Sequence, residues 1–386
     1  MMRPQPDAGM IPKPRVARFA TLKIAARQLI PPAIALFAIP WSIGWLVIVL
    51  QGGSFGVDFH QAFWPAAARV VHGMSPYVDP HSPIVSAGAA FVYPAPTALI
   101  FAPFGYLDRD VGTAIFTALI VLAIPTTLWL LRVRDWRVYG VVFLWAPIFG
   151  AWQTANITTV LGLGIAAAWR WRDRPRHCGI ALGLVVSMKI FLWPMGLWLL
   201  ATRRYLAFGY VLLFGTVLNL VSWVVLGTGE FPRYLRLVRA LTDAEERHAY
   251  SVISYGLNHG LSRAAAYSLG LAIAAAVMAA CVIFGRRGHD AQALVLSTAA
   301  SILASPLVWL HYFALLLVPV AIARPRLSPM WGLPVAMWVC SATRPRDVPL
   351  LVAMALATAV VALVIRALAR DTEESLPLST KLDPMA

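Results

Sequence analysis

Asp58 lies in Gly56-Val57-Asp58-Phe59-His60, just after the first long apolar run, Ala33 to Leu50. It opens a segment that ends Gly73-Met74-Ser75-Pro76-Tyr77. A carboxylate at the mouth of a membrane bundle points to chemistry at the membrane surface; the alternative is an N-terminal cap for the helix that follows. Lys189 stands between two apolar runs in Val185-Val186-Ser187-Met188-Lys189-Ile190-Phe191. It is either a lysine snorkelling from a helix end or a cation for a lipid phosphate. His311, in Ser305-Pro306-Leu307-Val308-Trp309-Leu310-His311-Tyr312, sits at the end of a further apolar run. A lone histidine there is more often a hydrogen-bonded structural residue. Gln153 and Asn156, in Trp152-Gln153-Thr154-Ala155-Asn156, form a polar turn that either lines a pocket or solvates a loop. Asp79, in Val78-Asp79-Pro80, reads as a turn residue.

The elements that must position these groups are membrane helices. The chain has 386 residues, 60% hydrophobic and 13% charged, with mean hydropathy +0.72, against about 25% charged in soluble domains. Many apolar runs approach the roughly 20 residues that span a bilayer as helix. They are apolar on all faces, whereas strands of a membrane barrel alternate in polarity. The expected fold is an all-α polytopic membrane protein. Helices are expected near 33–50, 110–131, 138–151, 155–170, 178–188, 190–200, 205–226, 262–284, 291–304, 307–323, 330–342 and 348–369, about twelve in all. Several are short, as tilted, broken or re-entrant helices are.

Charge fixes the expected orientation. The net charge is +15, and 22 of the 32 basic residues fall on one side, among them Arg132, Arg134, Arg170, Arg172, Arg203, Arg204, Arg286 and Arg324. The positive-inside rule makes that side cytoplasmic, with both termini inside. Residues 92–107 are apolar but carry Pro94, Pro96 and Pro103. A full crossing there would invert every later loop, so a half-helix or hairpin at the outer surface is expected.

Two outer segments follow, 51–109 and 227–261. In the first, Trp64 to His72 reads as an amphipathic helix, with Pro65 in its first turn and Gly73 as its cap. In the second, Arg233, Arg236 and Arg239 are spaced for one helix face. The division expected is a basic cytoplasmic N-terminus over 1–32, one integral-membrane domain over 33–370 and a polar cytoplasmic tail over 371–386. No cleavable signal peptide is expected, since the first apolar run lacks a small-residue cleavage site.

Composition also excludes. The basic loops serve topology, so nucleic acid is not an expected partner. Cys178, Cys281 and Cys340 are far apart and give no disulfide framework or thiolate metal site. There is no P-loop, dinucleotide loop, His-x-x-x-His or acidic pair spaced for a metal, so neither cofactor nor metal is expected. No carboxylate falls in mid-helix, where proton- and ion-coupled transporters carry ionisable groups. Three classes stay open on these residues: a membrane enzyme, a lipid or glycan transporter or flippase, and a non-catalytic scaffold.

In their order, the segments resemble the integral-membrane glycosyltransferases of the GT-C type, in particular glycosyltransferase family 87, the polyprenol-phosphate-mannose-dependent α-mannosyltransferase group. The likeness runs from about Trp45 to Pro319. It rests on Asp58, Phe63, Ala66-Ala67-Ala68 and Gly73-Met74-Ser75-Pro76-Tyr77, then Tyr93-Pro94-Ala95-Pro96 and Ala102-Pro103-Phe104. Gln153 and Asn156 resemble the family's Gly-Gln-x-Asn turn, Lys189 its Lys-Pro, and Ser305-Pro306, Trp309 and His311 its Ser-Pro-x-x-Trp-x-His. Trp152, Ile190 and Tyr312 depart from the family's usual Gly, Pro and second His.

The resemblance implies a GT-C-like bundle in the plasma membrane, with the active site on the outer face. The donor would be a sugar, by family default mannose, on a polyprenyl phosphate, and the acceptor a glycolipid or glycan. Asp58 would be the catalytic base. Lys189 would bind the donor phosphate, with His311, Gln153, Asn156, Tyr93 and His60 as further substrate contacts. The acceptor hydroxyl attacks the anomeric carbon with inversion to an α-linkage. A phosphate leaves readily, so no paired general acid is required.

Overall fold

The computed structural model describes residues 39–340 and 347–374. The expectations for the basic N-terminus, for residues 33–38 of the first helix, for 341–342 and for the tail beyond 374 lie outside the described residues. Every regular element among the described residues is helical.

The chain enters on α1, residues 39–51. A π-helical turn, Phe59–Phe63, leads into α2, Trp64–Val71. As the sequence suggests, Pro65 lies in the first turn of α2 and Gly73 follows it with φ +71°. The short α3 (Pro83–Ser86) precedes α4, Ala95–Phe101, which tightens into a 3-10 turn over Ala102–Tyr106. Residues 92–107 thus form short helical pieces, and α4 and its 3-10 turn pack on α2. Pro94 and Pro103, with no N–H to give, set the start and the tightening of this stretch.

Next come α5 (Arg109–Leu130), α6 (Trp136–Val141), α7 (Ala146–Gln153) and α8 (Thr158–Arg170). They are followed by α9 (Pro175–Met188), α10 (Met195–Ala201), α11 (Tyr205–Leu226) and α12 (Glu230–Glu245). The chain ends with α13 (Val252–Asn258), α14 (Arg263–Arg286), α15 (Asp290–Leu303), α16 (Leu317–Ala323), α17 (Leu333–Ala336) and α18 (Asp347–Glu374). By length and composition, four helices among the described residues are able to cross a membrane: α5, α11, α14 and α18. At 22 residues α11 is about 33 Å long, matching the apolar thickness of a bilayer. Its Leu212, Leu213, Val217, Leu220, Val221 and Val224 are exposed, as lipid-facing side chains are.

Four expected helices are broken, and the breaks matter for the site; the 190–200 run opens as a 3-10 turn, Ile190–Leu192, ahead of α10. The 138–151 run divides into α6, a 3-10 turn Val142–Leu144 and α7. Trp145 is extended (ψ 123°) because Pro147 has no amide to continue the ladder. The run before α16 is wound as 3-10 over Leu310–Leu316, and α17 is flanked by 3-10 turns Pro329–Gly332 and Met337–Cys340. Irregular backbone at membrane depth survives only where protein or a cavity covers it. Here Trp145 Nε1 donates to the Trp331 carbonyl (2.9 Å) and Trp338 Nε1 to that of Leu144 (2.8 Å).

The core of the described residues divides into two large apolar clusters and a small third one of Ile253, Leu257 and Ala266. One joins α2, α4, α5, α8, α9 and α10 and includes the stacked rings of Phe63 and Phe101, 4.5 Å apart. The other joins α7, α16, α17 and α18 around Trp145, Trp331 and Trp338. Trp152 and Phe191 pack against both. Helix α9 lies close on α11: a Cβ at Gly179 would meet the Ala207 carbonyl oxygen at 2.6 Å. Small residues let membrane helices approach this way, and Asn219 Nδ2 donates to Ser187 Oγ across the same pair at 3.0 Å.

Candidate active site

Helix α9 has chemically distinct ends. At its start, Arg172 and Arg204 converge on Asp290, with Arg204 making two hydrogen bonds of 2.8 Å. Trp198 Nε1 donates to the same carboxylate at 2.7 Å. At the other end stands Lys189. Asp58, Lys189, His311, Gln153, Asn156 and Tyr93 line one cavity of about 770 Å³, within the range of small-molecule sites, ~300–1,000 Å³. The cavity lies where the two apolar clusters meet.

Asp58 is not a helix cap. Its side chain makes no capping bond to the π-helical turn that follows. Its backbone N–H instead donates to the Thr154 carbonyl (2.9 Å), and Gly56 N–H to that of Gln153 (2.8 Å). Gly56 has φ +70°, and a Cβ there would fall 2.6 Å from Thr113, so the loop seats only with glycine at this position. The carboxylate Oδ2 accepts from Asn156 Nδ2 at 2.7 Å. Asn156 Oδ1 accepts from Thr158 N–H (3.1 Å) and Thr158 Oγ1 (2.7 Å), which leaves its amide nitrogen to face Asp58. The intervening Ala155 has φ +54°, a left-handed C′ position that usually falls to glycine. The π turn beside Asp58 is of the kind that recurs at functional sites. Burial raises the Asp58 carboxyl above its ordinary value; the Asn156 hydrogen bond, the charge of Lys189 and Thr154 oppose that rise.

Lys189 stands in the turn between α9 and the 3-10 turn Ile190–Leu192. Thr97 Oγ1 on α4 donates to the Met188 carbonyl at 2.9 Å, satisfying a helix-end acceptor and pinning the turn. The ammonium sits 3.9 Å from the ring centroid of Tyr312, 5.0 Å from Tyr93 and 5.6 Å from Phe191. Such a cage stabilises a desolvated cation. Its hydrogen bond to Tyr93 Oη is long at 3.5 Å, so donors remain for a ligand. Burial lowers the Lys189 value and Asp58 opposes this. No salt bridge within 4 Å joins the two among the described residues.

His311 is buried, and its Nε2 has no hydrogen-bond partner, unlike a satisfied structural histidine. Gln153 lines the cavity, but its amide donates to the Ser54 carbonyl at 3.2 Å and so holds the first loop. His60 does not line the cavity. Its Nε2 lies 3.8 Å from Asp110 at the start of α5. Two residues along a helical turn is about half a turn from Asp58, so the two side chains diverge. Asp79 is a turn residue, accepting from His81 N–H at 2.8 Å. The inner face of α12 closes the cavity with Tyr234, Val238, Leu241 and Glu245, joined by His248 and Tyr250. Sequence reasoning did not single these out. The i, i+3 spacing of Glu245 and His248 was their one signal.

Residues 91–310, more than half of the chain, match glycosyltransferase family 87. The chain belongs to this family. It is also similar to an α-(1→3)-arabinofuranosyltransferase of Mycolicibacterium smegmatis, with 25% identity over 259 residues, 59% of this chain and 57% of the relative. The chain thus spans little more than half the length of that relative. No solved structure matches it. Family 87 is a family of glycosyltransferases, and the four long apolar helices α5, α11, α14 and α18 fit a membrane protein.

Proposed function

We propose that this family 87 protein transfers a glycosyl group from a polyprenyl phosphate to a hydroxyl of a glycolipid or glycan acceptor at the outer face of the plasma membrane. The observation that carries the reading is the pairing of Asp58 and Lys189 on one cavity, a carboxylate and the only Lys or Arg that lines it among the described residues. The acceptor oxygen attacks the anomeric carbon as its proton passes to Asp58. The bond from that carbon to the phosphate oxygen breaks, and the lipid phosphate leaves with the electron pair, held by Lys189. A positioned base contributes about 10²–10⁴-fold, and a cation aimed at the departing phosphate stabilises charge where it develops. His311, with its free Nε2, is a second phosphate or acceptor contact. Displacement inverts a β-linked donor to an α-linked product.

The outer-face placement is supported by the basic loops at the opposite end of α9. In this topology one domain of about twelve membrane helices carries the site, with both termini cytoplasmic. The donor sugar is mannose, the family's default, or arabinofuranose, the sugar in the relative's name. The test offers purified protein both polyprenyl-phosphate-linked sugars, each labelled, with a membrane lipid extract as acceptor. Label in a new glycolipid or glycan with one of them is the expected result. Movement of intact donor across reconstituted vesicles, with no new glycosidic bond from either sugar, would overturn the reading in favour of a flippase.

A further inference from the structure

The cavity holds a second polar centre that the chemistry above does not use. Glu245 closes α12, and its side chain is 13% exposed. His248 Nδ1 lies 3.6 Å from Glu245 Oε2, just beyond hydrogen-bond distance; this nitrogen is covered and has no hydrogen-bond partner, while the side chain as a whole is 42% exposed. Both residues line the cavity.

The position is built rather than incidental. The 3-10 turn Glu246–His248 is fastened on its far side. Glu246 accepts from Tyr267 Oη (2.7 Å) and pairs with Arg263 (3.1 Å). Arg247 donates to the Leu257 carbonyl at 2.6 Å, and Asn258 to that of Arg247 at 3.0 Å. With Glu246 and Arg247 tied outward, Glu245 and His248 are left to the cavity. The opposite wall makes room: at Gly88 (φ +73°) a Cβ would stand 2.9 Å from Glu245 Oε1.

We infer that Glu245 and His248 form the acceptor subsite and bind hydroxyls of a neutral sugar ring, an inference that rests on the glycosyl-transfer reading. A carboxylate accepts from two neighbouring hydroxyls, and an imidazole either donates to or accepts from a third. A phosphate is excluded from this end: it would meet a carboxylate, while the one lining lysine among the described residues stands at the other centre. The acceptor sugar is held at Glu245 and His248 with a hydroxyl turned toward Asp58. The donor phosphate is held at Lys189.

The test is equilibrium dialysis of the full chain in nanodiscs, with empty nanodiscs subtracted. The probes are a tritiated short-chain polyprenyl phosphate and two tritiated glycosides, octyl α-mannopyranoside and octyl α-arabinofuranoside. Glu245→Gln is expected to weaken glycoside binding about tenfold or more, the scale of a hydrogen bond to a charged group. His248→Gln should weaken it several-fold. Polyprenyl phosphate binding should stay within about twofold in both variants, which also reports an intact fold. Lys189→Met should show the reverse pattern. Glycoside binding that is absent from the wild type, or unchanged by Glu245→Gln, overturns the subsite and leaves the donor reading standing. Failure of the wild type to bind polyprenyl phosphate overturns the donor reading, whatever the glycosides do.

Discussion

Asn156 donates its side-chain amide to Oδ2 of Asp58 at 2.7 Å, across 98 residues of sequence. With its own oxygen occupied by Thr158, Asn156 can offer Asp58 only a donor. It therefore favours the charged carboxylate, while burial favours the neutral acid.

This balance sets a pH dependence. Asp58 must be ionised to accept a proton, and burial raises its value above that of a free aspartate. Transfer should rise as pH increases through that raised value and be lost below it. Asn156→Ala removes an interaction that stabilises the charged form, so the acid limb of the kcat/KM profile should move to higher pH. The profiles of the two proteins, measured side by side, check this. A limb that stays in place would show that Asn156 is only a structural neighbour.

Lys189 gives a complementary prediction. Lys189→Met should raise the donor KM by about 10–150-fold, the range for losing a hydrogen bond to a charged group. Lys189→Arg should recover part of the loss, since it keeps the charge but not the compact geometry. Initial rates against donor concentration, at fixed acceptor, measure both. An unchanged donor KM in the methionine variant would remove Lys189 from phosphate binding.

The far end of α9 should behave differently. Arg204 and Asp290 are each less than a quarter exposed and share two hydrogen bonds. Arg204→Ala should cost about 1.5–3 kcal/mol of stability by leaving Asp290 short of donors. The melting temperature in detergent should fall, while the donor KM of the remaining folded protein stays at the wild-type value. A raised KM with no loss of stability would show that this cluster belongs to the site.

Much of this was legible in the sequence, and the omissions have physical causes. Asp58, Asn156 and Lys189 stood out because charged and amide groups between apolar runs are few. Their meeting depended on where the apolar runs end, which hydropathy locates well. His60 was grouped with the site by the family resemblance, but its ring turns to Asp110. The cage around Lys189 draws Tyr93 from one segment and Tyr312 from another, and no local pattern marks that convergence. Glu245 and His248 lie amid Asp243, Glu246 and Arg247 and read as a solvated helix end. Only the turn of α12 over the cavity makes them lining groups. The broken helices follow from Pro147, Pro319 and Pro334, visible as residues, though the 3-10 winding before α16 depends on packing.

The central claim is that Asp58 accepts the acceptor proton. The decisive measurement is the turnover of Asp58→Asn against wild type with whichever polyprenyl-phosphate-linked sugar the wild type uses, with donor affinity measured on the same preparations. The asparagine keeps the size and still pairs with Asn156 but cannot take a proton. Turnover should fall about 10²–10⁴-fold while donor affinity stays within about twofold. Full turnover in the variant would contradict the assignment and require another group as base.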